Sequence, residues 1–124
     1  MSMSTIGVPL EGFGVYCRAA AAEGAVLLKN EGHMFPLKKE EMVSVFGRCQ
    51  FETYRSGTGS GGAVNVPYAV NIYDGMRESG SFTLNEELAD IYRAWLKDHP
   101  FDNGGGGWAA EPWHQKEMVI TEEI

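Results

Sequence analysis

Met42-Val43-Ser44-Val45-Phe46-Gly47 is the stretch on which the fold turns. Apart from Ser44 its side chains are apolar, and the valines and the phenylalanine suit a pleated, half-buried surface. Gly47 then breaks the run, so the stretch reads as the best strand in the chain. Upstream, residues 11–23 read as a helix. Val15, Arg18, Ala19 and Ala22 share one spacing, and the run Ala19-Ala20-Ala21-Ala22 has the highest helix propensity available. Gly24 is the expected stop, in the left-handed position that glycine takes without a Cβ clash. Ala25-Val26-Leu27-Leu28 reads as a short buried strand or a continuation of that helix, because four residues do not fix a period. Asn30-Glu31-Gly32 is a turn signal, and Phe35-Pro36-Leu37 an extended connector.

Downstream of the strand, residues 47–67 read as a loop. A helix is expected over residues 70–79, with Val70, Ile72, Tyr73 and Met76 as its apolar positions and Gly80 closing it. Ser81-Phe82-Thr83-Leu84 reads as a second short strand. Asn85 is a good helix cap, because its side-chain oxygen accepts a bond from a free backbone N–H. Glu86 and Glu87 follow where the helix dipole favours negative charge. Leu88, Ile91, Tyr92, Trp95 and Leu96 then mark one face of an amphipathic helix, 85–98, ended before Pro100. The order helix, strand, helix, strand, helix, with crossovers of helical length, argues for an α/β fold with a mainly parallel sheet. Two or three strands can be counted. A parallel sheet needs both faces covered, so further strands are expected from elsewhere.

The bulk numbers narrow the function by exclusion. The chain has 124 residues, a length that suits one domain, and its apolar fraction of 44% suffices for a core. A net charge of −7 disfavours nucleic acid and anionic membranes and is compatible with neutral ligands such as sugars. Cys17 and Cys49 are not spaced for a zinc site or a redox motif, and are expected as reduced, buried thiols. His33, His99 and His114 pair with no second ligand at metal spacing, so no metal and no cofactor is expected. The start Met1-Ser2-Met3-Ser4 has no basic region followed by an apolar run, and a cytoplasmic location is the expectation.

The loop Ser56-Gly57-Thr58-Gly59-Ser60-Gly61-Gly62 formally matches the dinucleotide pattern G-x-G-x-x-G. That chemistry needs the glycines directly after a strand and at a helix start, so that phosphate meets free N–H groups. Here the strand ends near Phe46 and the next helix begins after Pro67, which disfavours a phosphate cradle. No Gly-Lys-Ser/Thr follows, so a P-loop is poorer still. Tyr54 and Arg55 lead into the glycines, and an aromatic and a cation beside close-approach backbone suit a ligand-facing loop better than a spacer. The loop also follows a strand, the side on which open α/β sheets bind ligands. The second cluster, Gly104-Gly105-Gly106-Gly107, lies beside Trp108 and Trp113; these read as core or interface residues, or as a platform for a sugar face. Glu11, Glu31, Glu40 and Glu41 read as solvated charges. Ser56 and Ser60 lie in no G-x-S-x-G elbow, so a hydrolase triad is unsupported.

Several segments in order resemble one family. Ala20-Ala21-Ala22-Glu23-Gly24-Ala25-Val26-Leu27-Leu28-Lys29-Asn30-Glu31-Gly32, followed by Phe35-Pro36-Leu37, resembles the opening of the α/β-sandwich domain of glycoside hydrolase family 3 β-glucosidases. Phe35 stands where that family usually has leucine. Val43-Ser44-Val45-Phe46-Gly47 resembles the next strand, residues 56–62 with Val66-Pro67-Tyr68 the glycine-rich loop, and Asn71-Ile72-Tyr73-Asp74-Gly75-Met76 the helix after it. The match covers residues 19–80 strongly. Residues 81–124 resemble a subgroup-specific helix and Gly/Trp-rich insertion, with His99-Pro100-Phe101-Asp102, Gly107-Trp108 and Glu111-Pro112-Trp113.

The resemblance implies an incomplete three-layer α/β sandwich over residues 1–124, from the subgroup whose sandwich precedes its barrel. It implies hydrolysis of terminal β-D-glucosyl residues by a retaining, two-carboxylate mechanism in the whole enzyme. The nucleophile is then an aspartate on a (β/α)8 barrel domain, which needs about 250 residues. The acid/base is a glutamate beyond the strand that follows Glu111-Pro112-Trp113. No residue of this chain inherits either role, and the chain alone is expected to be an inactive fragment. Tyr54, Arg55, Ser56, Gly57, Thr58, Gly59 and Ser60 are the expected substrate-binding positions, for a β-glucoside or oligosaccharide. The barrel is the expected partner, and self-association through exposed apolar surface is expected. The competing reading is a standalone carbohydrate-binding or interaction module derived from the same domain.

Overall fold

In chain order the elements are α1 (Phe13–Gly24), β1 (Met42–Val43), α2 (Ile72–Ser79), β2 (Thr83–Leu84) and α3 (Glu86–Asp98), with 3₁₀ turns at Glu31–His33 and Arg48–Gln50. The computed structural model describes residues 8–54, 66, 68–102 and 115–122. β1 and β2 pair in parallel, Met42 opposite Thr83 and Val43 opposite Leu84. The expected alternation of helix and strand, and the parallel sheet, are therefore present, with two strands among the described residues. Both strands are shorter than expected. Beyond Val43 the chain keeps no ladder, and Gly47, at φ 92 and ψ 140, turns it into the 3₁₀ turn. A Cβ at that φ is strained, so a glycine suits this turn, which lies beyond the end of β1. The Gly47 N–H is taken by the Tyr92 hydroxyl at 2.9 Å, which ties the strand end to α3.

The chain divides into two units, Met1–Pro36 and Leu37–Ile124. The second carries the core. Tyr73 from α2, Leu84 from β2 and Ala89 from α3 form its buried centre, with Val43, Val45, Phe51, Met76 and Phe82 packed against them. Leu88 and Tyr92 are buried on the same helix. The stripe read on α3 is thus the face that packs, with Ile91, Trp95 and Leu96 half-buried at its edge.

Asn85 does three jobs at the junction of sheet and helix. Its N–H donates to the Val43 carbonyl at 2.9 Å, its Oδ1 caps α3 by accepting from Leu88 N at 3.1 Å, and its Nδ2 donates to Ser44 Oγ at 3.0 Å. Asn71 caps α2 in the same way, accepting from Asp74 N at 2.7 Å. Gly80 closes α2 as expected, and does so in the left-handed conformation, at φ 61. Asp90 and Glu86 hold Arg93, whose guanidinium lies 5.0 Å from the ring centroids of both Phe51 and Tyr73. Among the described residues the Tyr73 hydroxyl, which is buried, has no hydrogen-bond partner. Burial pushes its phenol above the usual value, Glu86 adds to the rise and Arg93 opposes it.

The first unit is different. α1 has no buried residue, and Asn30 alone among residues 8–36 is even partly covered. Gly24 does not take the left-handed position; the helix ends at an extended Ala25. Val26, Leu27 and Leu28 are 75%, 60% and 92% exposed, so the run is neither the expected buried strand nor a continuation of the helix, but an exposed segment outside helix and strand. The Asn30 side chain closes the turn that follows, donating to the Phe35 carbonyl and accepting from its N–H at 2.9 and 3.1 Å. Cys17 and Cys49 are free, as expected, but exposed rather than buried.

Candidate functional site

Glycine at 47 delivers Arg48 into the interior of the second unit, where it is 1% exposed. A buried guanidinium is costly unless its N–H groups find acceptors. Arg48 finds them on three separate stretches. Its Nε and Nη2 donate to Glu52 at 2.9 and 2.5 Å, Nη2 also donates to the His99 carbonyl at 2.9 Å, and Nη1 donates to the Lys116 carbonyl at 2.7 Å. Its backbone N–H donates to Glu117 at 3.1 Å. The guanidinium lies 5.6 Å from the Trp95 ring and 6.0 Å from the Phe101 ring, distances at which a cation is attracted to a π face. His99 stacks on Trp95, centroids 4.1 Å apart and planes 9° from parallel. Arg48 therefore ties the end of β1 to the C-terminus of α3 and to residues 116–117. It borders a cleft of about 170 Å³ with Asp98, Pro100, Asp102 and Gln115.

Nothing in the sequence singled out Arg48. Its partners lie up to 69 positions away, and the signal it leaves, one arginine after a strand-ending glycine, is common.

Of the expected substrate-binding residues, Tyr54 is placed. Arg55, Ser56, Gly57, Thr58, Gly59 and Ser60 lie outside the described residues, as do Trp108, Trp113 and His114. Tyr54 is half-exposed, and its ring stacks against Phe101 with centroids 6.5 Å apart and planes 14° from parallel. Its neighbour Thr53 is anchored twice, donating to the Cys49 carbonyl at 2.7 Å and accepting from Ile72 N at 3.0 Å. That bond satisfies one of the free N–H groups at the start of α2, and it fixes the chain on either side of the glycine-rich stretch. Asp102 and Gln115 are held together in the same fashion. Asp102 N donates to Gln115 Oε1 at 3.0 Å, and Gln115 Nε2 donates to the Asp102 carbonyl at 2.5 Å.

Glu11, Glu31, Glu40 and Glu41 are exposed, in keeping with solvated charges, and Lys29 pairs with Glu31 at 3.1 Å on the surface. Among the described residues no group of three His, Cys, Asp or Glu is placed to hold a metal ion. Among them, too, no helix is long and apolar enough to cross a membrane.

The family model described as the glycosyl hydrolase family 3 C-terminal domain matches residues 25–119. The chain is 48% identical over 103 residues to a β-glucosidase of Ruminococcus albus, an alignment that takes in 83% of this chain and 11% of that protein. It is 35% identical over 80 residues to β-glucosidase A of Butyrivibrio fibrisolvens, across 64% of this chain and 10% of the relative. The chain thus spans about a tenth of the length of these curated relatives. Among solved structures, it superposes with a TM-score of 0.87 and 65% identity on a β-glucosidase from Paenibacillus barengoltzii, covering 98% of this chain and 13% of that one. With β-glucosidase 3B from Thermotoga neapolitana, solved with α-D-glucose, the TM-score is 0.62 at 39% identity, over 73% of this chain and 12% of the other. Those neighbours carry the same α/β arrangement, of which the two-stranded parallel sheet and its helices are a part. By sequence and by fold, the chain belongs to the glycosyl hydrolase family 3 C-terminal domain family.

Proposed function

We propose that these residues are part of the α/β-sandwich domain of a β-glucosidase, and that they shape the mouth of its sugar site without supplying either catalytic carboxylate. The observation that carries this reading is the match over residues 25–119, together with 48% and 65% identity to β-glucosidases along most of the chain. In the complete protein a (β/α)8 barrel domain supplies the nucleophile, and a glutamate beyond these residues supplies the acid/base. The reaction is then retaining hydrolysis of a β-glucoside, with a covalent glycosyl-enzyme between its two steps. The exposed apolar segment Val26-Leu27-Leu28 packs against other parts of the same protein, and mediates self-association when the chain stands alone.

Within that frame Tyr54, Arg55, Ser56, Gly57, Thr58, Gly59 and Ser60 are the substrate-contacting positions. The double anchoring of Thr53 supports the reading, because a loop that contacts substrate gains from a fixed base. The protein encoded by the complete reading frame is the test material, with 4-nitrophenyl β-D-glucoside as substrate. Tyr54→Ala and Arg55→Ala lower its kcat/KM. Unchanged values would remove the loop from the site, and no turnover by the wild-type protein would remove the β-glucosidase assignment itself.

A further inference from the structure

The two units of the chain differ in what sustains them. Among the described residues every buried side chain, Arg48, Gln50, Tyr73 and Tyr92 among them, belongs to the second unit. So do the bonds between distant positions, such as Asn85 to Val43, Gly47 to Tyr92 and Arg48 to Lys116. Among residues 8–36 the hydrogen bonds span five positions at most, and no side chain is buried.

α1 also lacks local support. It has 12 residues, a length at which an isolated helix is marginal in water. Gly12 gives its N-terminus no side-chain cap, Gly14 stands inside it, and it has no acid in the first turn and no base in the last. Its apolar side chains face solvent, Val15 at 70% and Tyr16 at 71% exposure. Leu10 before the helix and Val26, Leu27 and Leu28 after it are exposed as well. Apolar side chains gathered in this way mark a contact surface.

We infer that residues 8–36 are a docking arm, that their partner is the remainder of the same polypeptide in the complete protein, and that α1 holds its helical form only on that partner. The proposed function seats Val26-Leu27-Leu28 on other parts of the protein. The inference rests on that reading, widens the seat to α1, and couples the folding of α1 to it. The length of the relatives selects the partner. This chain spans about a tenth of them, so on the β-glucosidase reading the complete protein carries far more surface than these residues do. A surface joined to the arm by the chain itself competes at an effective concentration on the order of millimolar, which a second copy in dilute solution does not reach.

Amide hydrogen exchange in the protein from the complete reading frame tests this, followed by mass spectrometry on peptides covering α1 and α3. In the wild type the α1 amides exchange at least about a hundredfold more slowly than in an unstructured peptide. Leu27→Asp/Leu28→Asp places charge in the seat and speeds α1 exchange about tenfold or more, while α3 keeps its protection. Leu28→Ser gives the same selective loss, about threefold or more, and decides the question where the double variant does not fold. Leu28 is 92% exposed, so contacts within these residues predict no effect from that substitution. Protection of α1 unchanged by these substitutions would overturn the proposal, as would wild-type α1 amides that exchange at the unprotected rate. Protection that disappears on tenfold dilution would also overturn it, because the partner would then be a second copy. None of these readouts needs activity. Failure of the β-glucosidase reading shows instead as no hydrolysis of 4-nitrophenyl β-D-glucoside by the wild type, so the two failures are told apart.

Discussion

Replacing Arg48 tests the packing argument most sharply. Its side chain is 2% exposed, whereas that of Glu52 is 27% exposed. Arg48→Ala leaves the Glu52 carboxylate without its cation and the carbonyls of His99 and Lys116 without their donors. It also withdraws the cation from the Trp95 and Phe101 rings. Breaking a buried ion pair from one side typically costs 3–5 kcal/mol. Glu52 keeps some access to water, which sets the expected loss near the lower end, about 3 kcal/mol. The assay is urea unfolding of the chain followed by circular dichroism, with the free energy extrapolated to water. A loss of that size could unfold the chain outright, so the paired variants carry the argument. Arg48→Met retains apolar bulk beside Trp95 while orphaning Glu52; the double variant Arg48→Met/Glu52→Met removes both charges and recovers part of the loss. The cycle closed by Glu52→Met gives a coupling of about 1–3 kcal/mol. A loss below about 1 kcal/mol for Arg48→Ala, with additive single effects, would refute the claim that Arg48 joins the three segments.

Two further outcomes are expected. Asn85→Ala removes the α3 cap and the bond to Ser44, and costs about 1–2 kcal/mol in the same unfolding assay; a value near zero would show that the cap is dispensable. Tyr73→Phe deletes a buried hydroxyl that has no hydrogen-bond partner among the described residues, so it is neutral or stabilising by up to about 1 kcal/mol. The raised phenol pKa adds a pH signature. The folded state holds its proton more tightly than the unfolded one, so that contribution to stability is complete below about pH 10 and declines as pH rises from there through the folded value. Stability measured above pH 10 therefore falls less steeply in Tyr73→Phe than in the wild type, and equal slopes would contradict the assignment.

What the sequence disclosed follows from the range of the forces involved. The α3 stripe, the Asn85 cap and the Gly80 stop are local: each depends on residues within a turn or two, so pattern and propensity reach them. The parallel pairing of β1 with β2 was legible one step further, from the helix between them. Strand length was not, because β1 pairs only as far as its partner runs, and β2 gives way to α3 at Asn85, on a distant part of the chain. The Val26-Leu27-Leu28 run misled for a related reason. An apolar run says that a segment has something to bury, not that neighbours among the described residues cover it. At the site, Tyr54 was singled out because it adjoins a glycine-rich stretch. Arg48 and its tie to Phe101 were not, because His99, Phe101, Lys116 and Glu117 come near only once the chain has folded.

The central claim is that these residues serve a β-glucosidase whose catalytic carboxylates lie outside them. Hydrolysis of 4-nitrophenyl β-D-glucoside tests it directly, measured side by side for the 124-residue chain and for the protein from the complete reading frame, with the first-formed anomer followed by NMR. The account predicts turnover by the complete protein, β-glucose as the first product, and none by the chain alone. Turnover by the 124-residue chain, or none by the complete protein, would contradict it.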